Sequence, residues 1–343
     1  MAYSSISKPS LHFNVKLYTG TGSTQSITGV GFQPDWVWIK NRSTTHDHIL
    51  TDVVRGVTKD IRVNNTDTES TDAQGLTAFG TDGFTVGTKV NINNSGSDIV
   101  SWNWKAGNSQ GSSNTDGTIN TTYTSVNTTA GFSISTYTGN GTNGATIGHG
   151  LGAVPKVVWI KRLSNQDATI VYHQNMGNNQ SVKLDRTDSN AGNFWNSTTP
   201  TNQVVTVTNS TENNTSGQTY VMYAFAEKKG YSKFGYYKGN GNADGPFIYC
   251  GFQPAFIIAK KYSATGPFHI YDKERANPFN VVSGKLVTNA GTAEAVGVEC
   301  DFLSNGFKIR ASGSDFNADS SDFMYMAFAE ETLVANVGAS IPC

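Results

Sequence analysis

The chain of 343 residues is nearly neutral, with 25 Lys and Arg against 26 Asp and Glu, and only 15% of its residues are charged. Such a balance provides no basic surface for nucleic acid, and no apolar run reaches the ~18 residues that a membrane helix needs. Few charges, 11% aromatic residues and 36 glycines argue against intrinsic disorder and favour an all-β protein of short strands joined by turns.

The chain begins with a short polar arm at 1–12, and residues 13–107 form a first module. The marker of this module is an apolar strand at 34–40, which starts at a proline and ends on a lysine. Successive side chains of a strand point to opposite faces, and both faces of this strand carry apolar residues. We therefore expect a central strand that is covered on both sides, in a β-sandwich with further packing against it.

The same elements occur three times along the chain. The copies of the marker strand lie at 31–40, 152–161 and 251–260. A Tyr-x-Gly-x-Gly turn precedes each copy, at 18–22, 137–141 and 237–241. An aromatic strand closes each copy, at Trp104, Phe225 and Phe328. A repeat of this length predicts three modules of one kind.

The module boundaries follow from this repeat and from the composition between the copies. Residues 108–130 are rich in Gly, Ser and Asn, which predicts a flexible linker that lets the first module move, although 121–126 has the pattern of an edge strand. The second module covers 131–229, the third covers 233–333, and a tail follows at 334–343. We predict three tandem β-sandwiches of about 95–100 residues, with jelly-roll connectivity as one candidate.

Several short strings match catalytic or metal-binding patterns but lack the context that the chemistry needs. The G-x-G-x-x-G string at 139–144 is followed by a strand pattern rather than a helix, and the G-x-S-x-G string at 107–111 begins the expected linker. His46 and His48 lack two further metal ligands. Three aspartates match no calcium-loop spacing: Asp315, Asp319 and Asp322. The sequence therefore predicts no enzyme, no cofactor and no metal.

One position of the repeat carries a titratable residue of changing type, namely Asp52, His173 and Asp272. Arg55 and Arg275 each follow an aspartate by three positions. We expect exposed salt bridges at a strand end, worth ~0.2–1 kcal/mol each, because a catalytic set would keep its residue types.

Most tryptophans lie at strand positions, where an aromatic side chain is normally part of the core. This set consists of Trp36, Trp38, Trp102, Trp104 and Trp159. Trp195 and Tyr262 lie among turn residues instead. They are the candidate ligand-binding residues, because an aromatic ring at a loop can stack on a sugar.

Long motifs of the chain resemble a known family. They lie at 31–40, 52–56, 101–107, 239–241, 245–249, 301–310 and 325–330. These segments are similar to a domain-of-unknown-function family of repeated β-modules in virion proteins of tailed bacteriophages, common among phages of cyanobacteria and aquatic bacteria. The resemblance covers about 13–333 and implies a structural, tail-fibre-like role, and no residue takes a catalytic role from it.

The repeat, the low charge and the resemblance together predict a structural bacteriophage virion protein that is assembled in the host cytoplasm. A tail fibre or tail-associated component that adheres to the host surface is the first expectation. One alternative is a capsid decoration or head-fibre protein, and another is a glycan-binding or glycan-degrading module. Hydrolysis needs two carboxylates ~5–9.5 Å apart, and the three copies share no such pair.

The expected partners follow from the same interpretation. They are other virion proteins, further copies of this chain in a homotrimer and a host-surface glycan. The expectation includes no nucleic acid and no membrane insertion.

Overall fold

A computed structural model describes residue 4, residues 6–276 and residues 280–329. Within them the chain is all-β, as the composition predicts, with antiparallel strands and only short helical turns. The helical turns are two 3₁₀ turns, Pro9–Leu11 and Gln174–Met176, and two α-helical turns, α1 (Val90–Asn93) and α2 (Ser314–Asn317). No helix in these ranges is long and apolar enough to cross a membrane. The expected tail at 334–343 lies outside the described residues.

The first module has a larger and a smaller sheet. Its strands are β1 (Phe13–Thr19), β2 (Gln25–Thr28), β3 (Trp36–Asn41), β4 (Ile49–Asp52), β5 (Lys59–Arg62), β6 (Ser70–Thr71), β7 (Leu76–Gly80), β8 (Gly83–Val86) and β9 (Asp98–Trp104). The main sheet has the order β1-β9-β3-β4-β5-β6, and the small sheet has the order β2-β8-β7. The marker strand β3 is therefore central, as its apolar sequence predicts.

The second module repeats this plan. Its strands are β10 (Thr121–Asn127), β11 (Phe132–Thr138), β12 (Ala145–Gly148), β13 (Val157–Arg162), β14 (Ile170–His173), β15 (Val182–Lys183), β16 (Val204–Val207) and β17 (Thr219–Phe225). The main sheet has the order β10-β11-β17-β13-β14-β15, and the small sheet consists of β12 and β16.

The stretch expected to be a flexible linker, 108–130, contains the edge strand β10, in line with the strand pattern at 121–126. This stretch also contacts the first module. The backbone N–H of Gly107 donates to Ser125 Oγ over 2.9 Å, and Gln110 Nε2 donates to the carbonyl oxygen of Val54 over 2.8 Å. The second half of the stretch is thus part of a sheet rather than free coil.

The third module joins its two layers into one sheet. Its strands are β18 (Ser232–Lys238), β19 (Phe247–Tyr249), β20 (Pro254–Lys261), β21 (Phe268–Asp272), β22 (Val282–Val287), β23 (Ala295–Leu303), β24 (Gly306–Ile309) and β25 (Asp322–Ala329). The order is β18-β25-β20-β21-β22-β23-β24-β19. Continuity arises because β22 pairs with β23.

The repeat in the sequence is a repeat in the topology. In each main sheet the closing aromatic strand lies between the opening strand and the marker strand, and the next strand in sequence pairs on the other side of the marker strand. The three equivalent sets are β1-β9-β3-β4, β11-β17-β13-β14 and β18-β25-β20-β21.

Four hydrophobic clusters explain why the marker strands are apolar on both faces. Each module has its own cluster between its main and smaller layers. The fourth cluster combines residues of all three main sheets, including Trp36, Trp159 and Phe256. The ring centroids of Trp36 and Trp159 are 5.8 Å apart, which is contact distance for aromatic pairs. The expectation of further packing against the sandwich is confirmed, because the three modules cover one another around a shared core.

Candidate functional site

The position that changes residue type among the copies is the last residue of β4, β14 and β21, and it links neighbouring modules. Each of these side chains reaches the closing strand of the next module. The contacts are Tyr223 Oη donating to Asp52 Oδ2 over 2.8 Å, His173 Nε2 at 3.2 Å from the carbonyl oxygen of Tyr325, and Trp102 Nε1 donating to Asp272 Oδ2 over 2.8 Å. The first module thus contacts the second, the second contacts the third, and the third contacts the first. We call this set the interlocking ring.

The two expected ion pairs are present, but the expectation that they are exposed is wrong. Arg55 Nε lies 2.6 Å from Asp52 Oδ2, and Arg275 Nε lies 2.5 Å from Asp272 Oδ2. At most 2% of any of these four side chains is exposed. They are buried because each pair lies under the neighbouring module, which local sequence does not reveal. Breaking one partner of a buried pair costs ~3–5 kcal/mol, far more than an exposed pair.

A glutamate extends each ion pair. Arg55 Nη1 lies 3.0 Å from Glu69 Oε2, and Arg275 Nη1 lies 3.1 Å from Glu294 Oε2. Burial opposes the charge of Arg55, yet the nearby Asp52 carboxylate raises the pKa of its guanidinium above the ordinary value. The Arg55 guanidinium is therefore held in its charged form by this ion pair.

In the second module, His173 stands at the position of the aspartate and Met176 at the position of the arginine. Burial lowers the pKa of His173 to about 4, so that the imidazole is neutral at pH 7. Its neighbour on the closing strand of the third module is Met326, which has no polar hydrogen to donate and stands where the other copies have Trp102 and Tyr223. The aspartate is thus found where the residue on the neighbouring closing strand can donate a hydrogen bond. The histidine is found where that residue cannot.

The lysine that ends each marker strand is also buried. Lys40, Lys161 and Lys260 are each 0% exposed. Their Nζ atoms donate to backbone carbonyls: Lys40 to Gly291 over 3.1 Å, Lys161 to Asn65 over 3.4 Å, and Lys260 to Gly266. Burial lowers the pKa of each lysine to about 8, although nearby carboxylates raise it.

Backbone hydrogen bonds near these lysines repeat the ring in the opposite direction. The donors and acceptors are His46 N and Gly291 O at 2.8 Å, Asp167 N and Thr66 O at 2.9 Å, and Gly266 N and Thr187 O at 2.9 Å. Each bond joins one module to the module before it, with the first joined to the third. The repeated lysine thus marks a joint between modules. Local sequence does not indicate this, because a lysine at the end of a strand is normally solvated.

The two histidines of the His46-Asp47-His48 string have structural partners. Trp38 Nε1 donates to His48 Nδ1 over 3.1 Å, and burial lowers the pKa of His48 well below its ordinary value. His46 donates its backbone N–H to the third module. Among the described residues, no three His, Cys, Asp or Glu side chains are grouped so that they could hold a metal ion.

The repeated Tyr-x-Gly-x-Gly turn holds a buried asparagine. In the three copies the side-chain oxygen accepts a backbone N–H from the turn: Asn93 from Thr21, Asn214 from Asn140 and Asn317 from Asn240, over 2.8–3.0 Å. The first glycine of the turn is required because an added Cβ would lie 2.2 Å from a carbonyl oxygen at Gly20, 2.4 Å at Gly139 and 2.2 Å at Gly239. The G-x-G-x-x-G string at 139–144 is part of this turn, and β12 rather than a helix follows it.

Trp195 is placed differently from the sequence expectation. Its side chain is 0% exposed within the cluster of the second module. The indole Nε1 donates to Ser181 Oγ over 2.6 Å, and the ring packs edge-on against Tyr172. Neither face is open to a ligand, so Trp195 is a core residue in this structure. Turn residues on both sides did not reveal this, because the loop folds back over the module.

Tyr262 is half-buried at the edge of the shared core. Its backbone N–H donates to the carbonyl oxygen of Asp322 over 3.0 Å. A ligand role for Tyr262 stays a prediction.

The third module has an open groove of about 450 Å³. It lies between β21, β22, β23 and the segment that follows β24. Lys285 and Arg310 line it with positive charge, Glu299 and Asp315 with negative charge, and Val298 forms part of its apolar rim. Lys285 Nζ lies 3.2 Å from Glu299 Oε1.

His269 lies in the lining of this groove at a position that is apolar in the other modules. The cross-strand pairs at this position are Ile39 with Ile49, Ile160 with Ile170, and Ala259 with His269. His269 is buried, and its Nε2 has no hydrogen-bond partner among the described residues. Burial, followed by the nearby lysines, lowers its pKa to about 3, so the ring is neutral.

The hydrogen bonds around His269 determine which ring nitrogen carries the proton. Tyr271 Oη donates its single proton to Glu299 Oε2 over 3.2 Å and lies 3.4 Å from His269 Nδ1. Since a carboxylate only accepts and the phenol has one proton, Nδ1–H is the donor to the phenol oxygen. Nε2 is then a hydrogen-bond acceptor. No sequence pattern singled out His269, but its contrast with Ile49 and Ile170 was a usable signal.

Comparison with known proteins gives one result. No curated protein and no solved structure significantly matches the chain. A family model matches residues 8–332, which is nearly the whole chain, and its description assigns no function. The chain therefore belongs to the family described as Domain of unknown function (DUF7483).

Proposed function

We propose that the chain is a structural bacteriophage virion protein, a tail fibre or tail-associated component without enzymatic activity. The observation that carries the proposal is the interlocking ring, together with the core that the three main sheets share. Backbone hydrogen bonds join the same modules in the opposite direction. A virion component has to keep its fold outside the cell, where resistance to unfolding matters more than flexibility. Three modules that share one core, and so cannot separate without exposing it, meet this requirement.

The motif resemblance supports the virion assignment specifically. Residues 31–40, 101–107 and 301–310 are similar to segments of tailed-phage virion proteins, and in this structure they form β3, the end of β9, and β23 with β24. These segments carry the sheet framework rather than a reactive site. The resemblance therefore favours a structural role over an enzymatic one.

Contacts with other virion proteins have to use the outside of the body, because the inner faces of the modules cover one another. The edge strands β18 and β19 of the third sheet carry large exposed side chains: Tyr236 at 59%, Phe247 at 46% and Tyr249 at 60% exposed. Exposed aromatic residues on a sheet edge favour association with a partner. The proposed homotrimer is built through such surfaces or through the arm at 1–12.

Mass spectrometry of purified particles of the source phage tests the proposal. We expect the intact chain in particles that have been washed in high salt, at a stoichiometry similar to other minor virion proteins. Its absence from particles, with the chain present in the host lysate, would overturn the proposal.

Gold labelling of an affinity-tagged chain on the particles separates the two structural alternatives. Label at the tail supports the tail-fibre assignment. Label on the capsid favours a decoration or head-fibre protein instead.

A further inference from the structure

The groove of the third module lies beside a pair of core positions that differ from those of the other modules. In the first and second modules a pair of isoleucines fills the space between the layers. In the third module Ala259 and His269 occupy these positions. His269 brings a polar ring to the lining of the groove, and Ala259 lies in the core beside it. The groove of about 450 Å³ lies within the range of ~300–1,000 Å³ that is usual for small-molecule sites.

The lining contains both hydrogen-bond donors and acceptors. Lys285 and Arg310 donate, while Glu299 and Asp315 accept. His269 contributes its buried ring to the floor, and its Nε2 is shielded from solvent. A cationic ligand would be repelled by Lys285 and Arg310, and an anionic ligand by Glu299 and Asp315. A ligand whose groups both donate and accept fits the lining without this cost.

The rim adds an apolar contact. Val298 is 62% exposed beside the charged side chains, and Val296 on the same strand is 81% exposed. A sugar ring presents hydroxyl groups around its edge and C–H groups on its face. It therefore matches both a mixed polar lining and an apolar rim.

We propose that this groove is a saccharide-binding site, in which Arg310 and Glu299 hold hydroxyl groups and the buried ring of His269 forms part of the floor. The inference rests on the proposed function for the source of the sugar, which would be a glycan of the host surface. It goes beyond that function by naming the ligand class and the residues that bind it.

The test uses the full chain on an array of neutral and acidic oligosaccharides, followed by saturation-transfer NMR titration with the best-bound oligosaccharide. Arg310→Gln removes a donor from a side chain that is 42% exposed, so the fold should persist. His269→Ile replaces the polar ring in the groove floor by the isoleucine that the other modules carry at this position. Lys238→Gln is the matched control, because Lys238 is 60% exposed and lies outside the groove lining.

We expect the unmodified chain to bind at least one oligosaccharide, the two groove variants to bind it at least tenfold more weakly, and Lys238→Gln to bind it unchanged. An array without any binding, or binding that both groove variants retain, would overturn the inference. The outcome is independent of the particle experiment. A chain that is found on particles but binds no saccharide refutes the groove alone, and a chain that binds but is absent from particles refutes the virion proposal alone.

Discussion

Tyr223 of the second module donates a hydrogen bond of 2.8 Å to the buried carboxylate of Asp52 in the first module. The two residues are 171 positions apart, and the same relationship joins Trp102 to Asp272. Where the neighbour is Met326, the aspartate is replaced by His173 and its arginine by Met176. Residues in different modules thus change together, as expected if this position serves the joint between modules rather than a reaction.

Removing the phenol hydroxyl of Tyr223 should destabilise the protein. Tyr223→Phe leaves Asp52 with one donor fewer in a buried site, and hydrogen bonds to charged groups are worth ~1.5–3 kcal/mol. We expect a loss of this size in the free energy of unfolding, measured by urea denaturation. Tyr236→Phe is the control, since this side chain is 59% exposed and should leave stability unchanged. Equal effects of the two substitutions would contradict the role of the hydroxyl.

Removing one partner of the ion pair in the third module should lower the free energy of unfolding more than replacing both partners by uncharged residues. Arg275→Met leaves the carboxylate of Asp272 buried with its Nε partner lost, which is expected to cost ~3–5 kcal/mol. Asp272→Asn combined with Arg275→Met removes the stranded charge and keeps a side-chain oxygen that can accept from Trp102 Nε1. We expect the double variant to be more stable than Arg275→Met in urea denaturation. A double variant that is less stable than the single one would show that the charge is not the cause.

The buried lysines predict how stability changes at alkaline pH. In the folded chain the pKa of Lys161 is about 8, against 10.5 in its ordinary state. Between these values the unfolded chain binds more protons than the folded chain, so the contribution of Lys161 to the free energy of unfolding rises with pH. The slope is at most ~1.4 kcal/mol per pH unit, the energy that corresponds to one pKa unit.

This contribution is measured as a difference between variants. Urea denaturation of the unmodified chain and of Lys161→Met at several pH values from 8 to 10.5 should show the unmodified chain gaining stability relative to the variant. Lys238→Met is the control, because the side chain of Lys238 is largely exposed. A parallel pH dependence of all three proteins would refute the prediction.

The first glycine of the repeated turn should tolerate no side chain. In Gly20→Ala the new Cβ would lie 2.2 Å from the carbonyl oxygen of Asn94, so the backbone has to move. We expect a loss of more than ~1 kcal/mol in thermal or urea unfolding. Gly313→Ala meets no atom within 4 Å and serves as the control. A Gly20→Ala variant as stable as this control would contradict the close approach.

Part of the candidate sites was predictable from local pattern. Asp52 and Arg55 are three positions apart, and their pairing followed from that spacing, as it did for Asp272 and Arg275. Their burial was not predictable, because it depends on a neighbouring module that follows much later in the chain. Trp195 shows the same limit, since its turn-like neighbours gave no sign that the loop covers the module core.

The groove illustrates a different limit. His269 follows the marker strand of the third copy as Ile49 and Ile170 follow theirs, so the substitution was visible in the aligned repeat. Its meaning was not visible, because a histidine in a strand is as well explained by a solvated face. Only the packing of the layers shows that His269 is buried beside an open space with Nε2 unpaired.

The sequence by itself determined the all-β class, the threefold repeat and the apolar marker strands, because composition and alternation are local properties of the chain. The tertiary structure alone decided that the second apolar face of each main sheet meets the other modules, that the ion pairs and lysines are buried between them, and that one module keeps a groove. These outcomes depend on which surfaces come into contact once residues far apart in the sequence are brought together by folding. Residues as far apart as Asp52 and Tyr223 carry no local sign of that meeting.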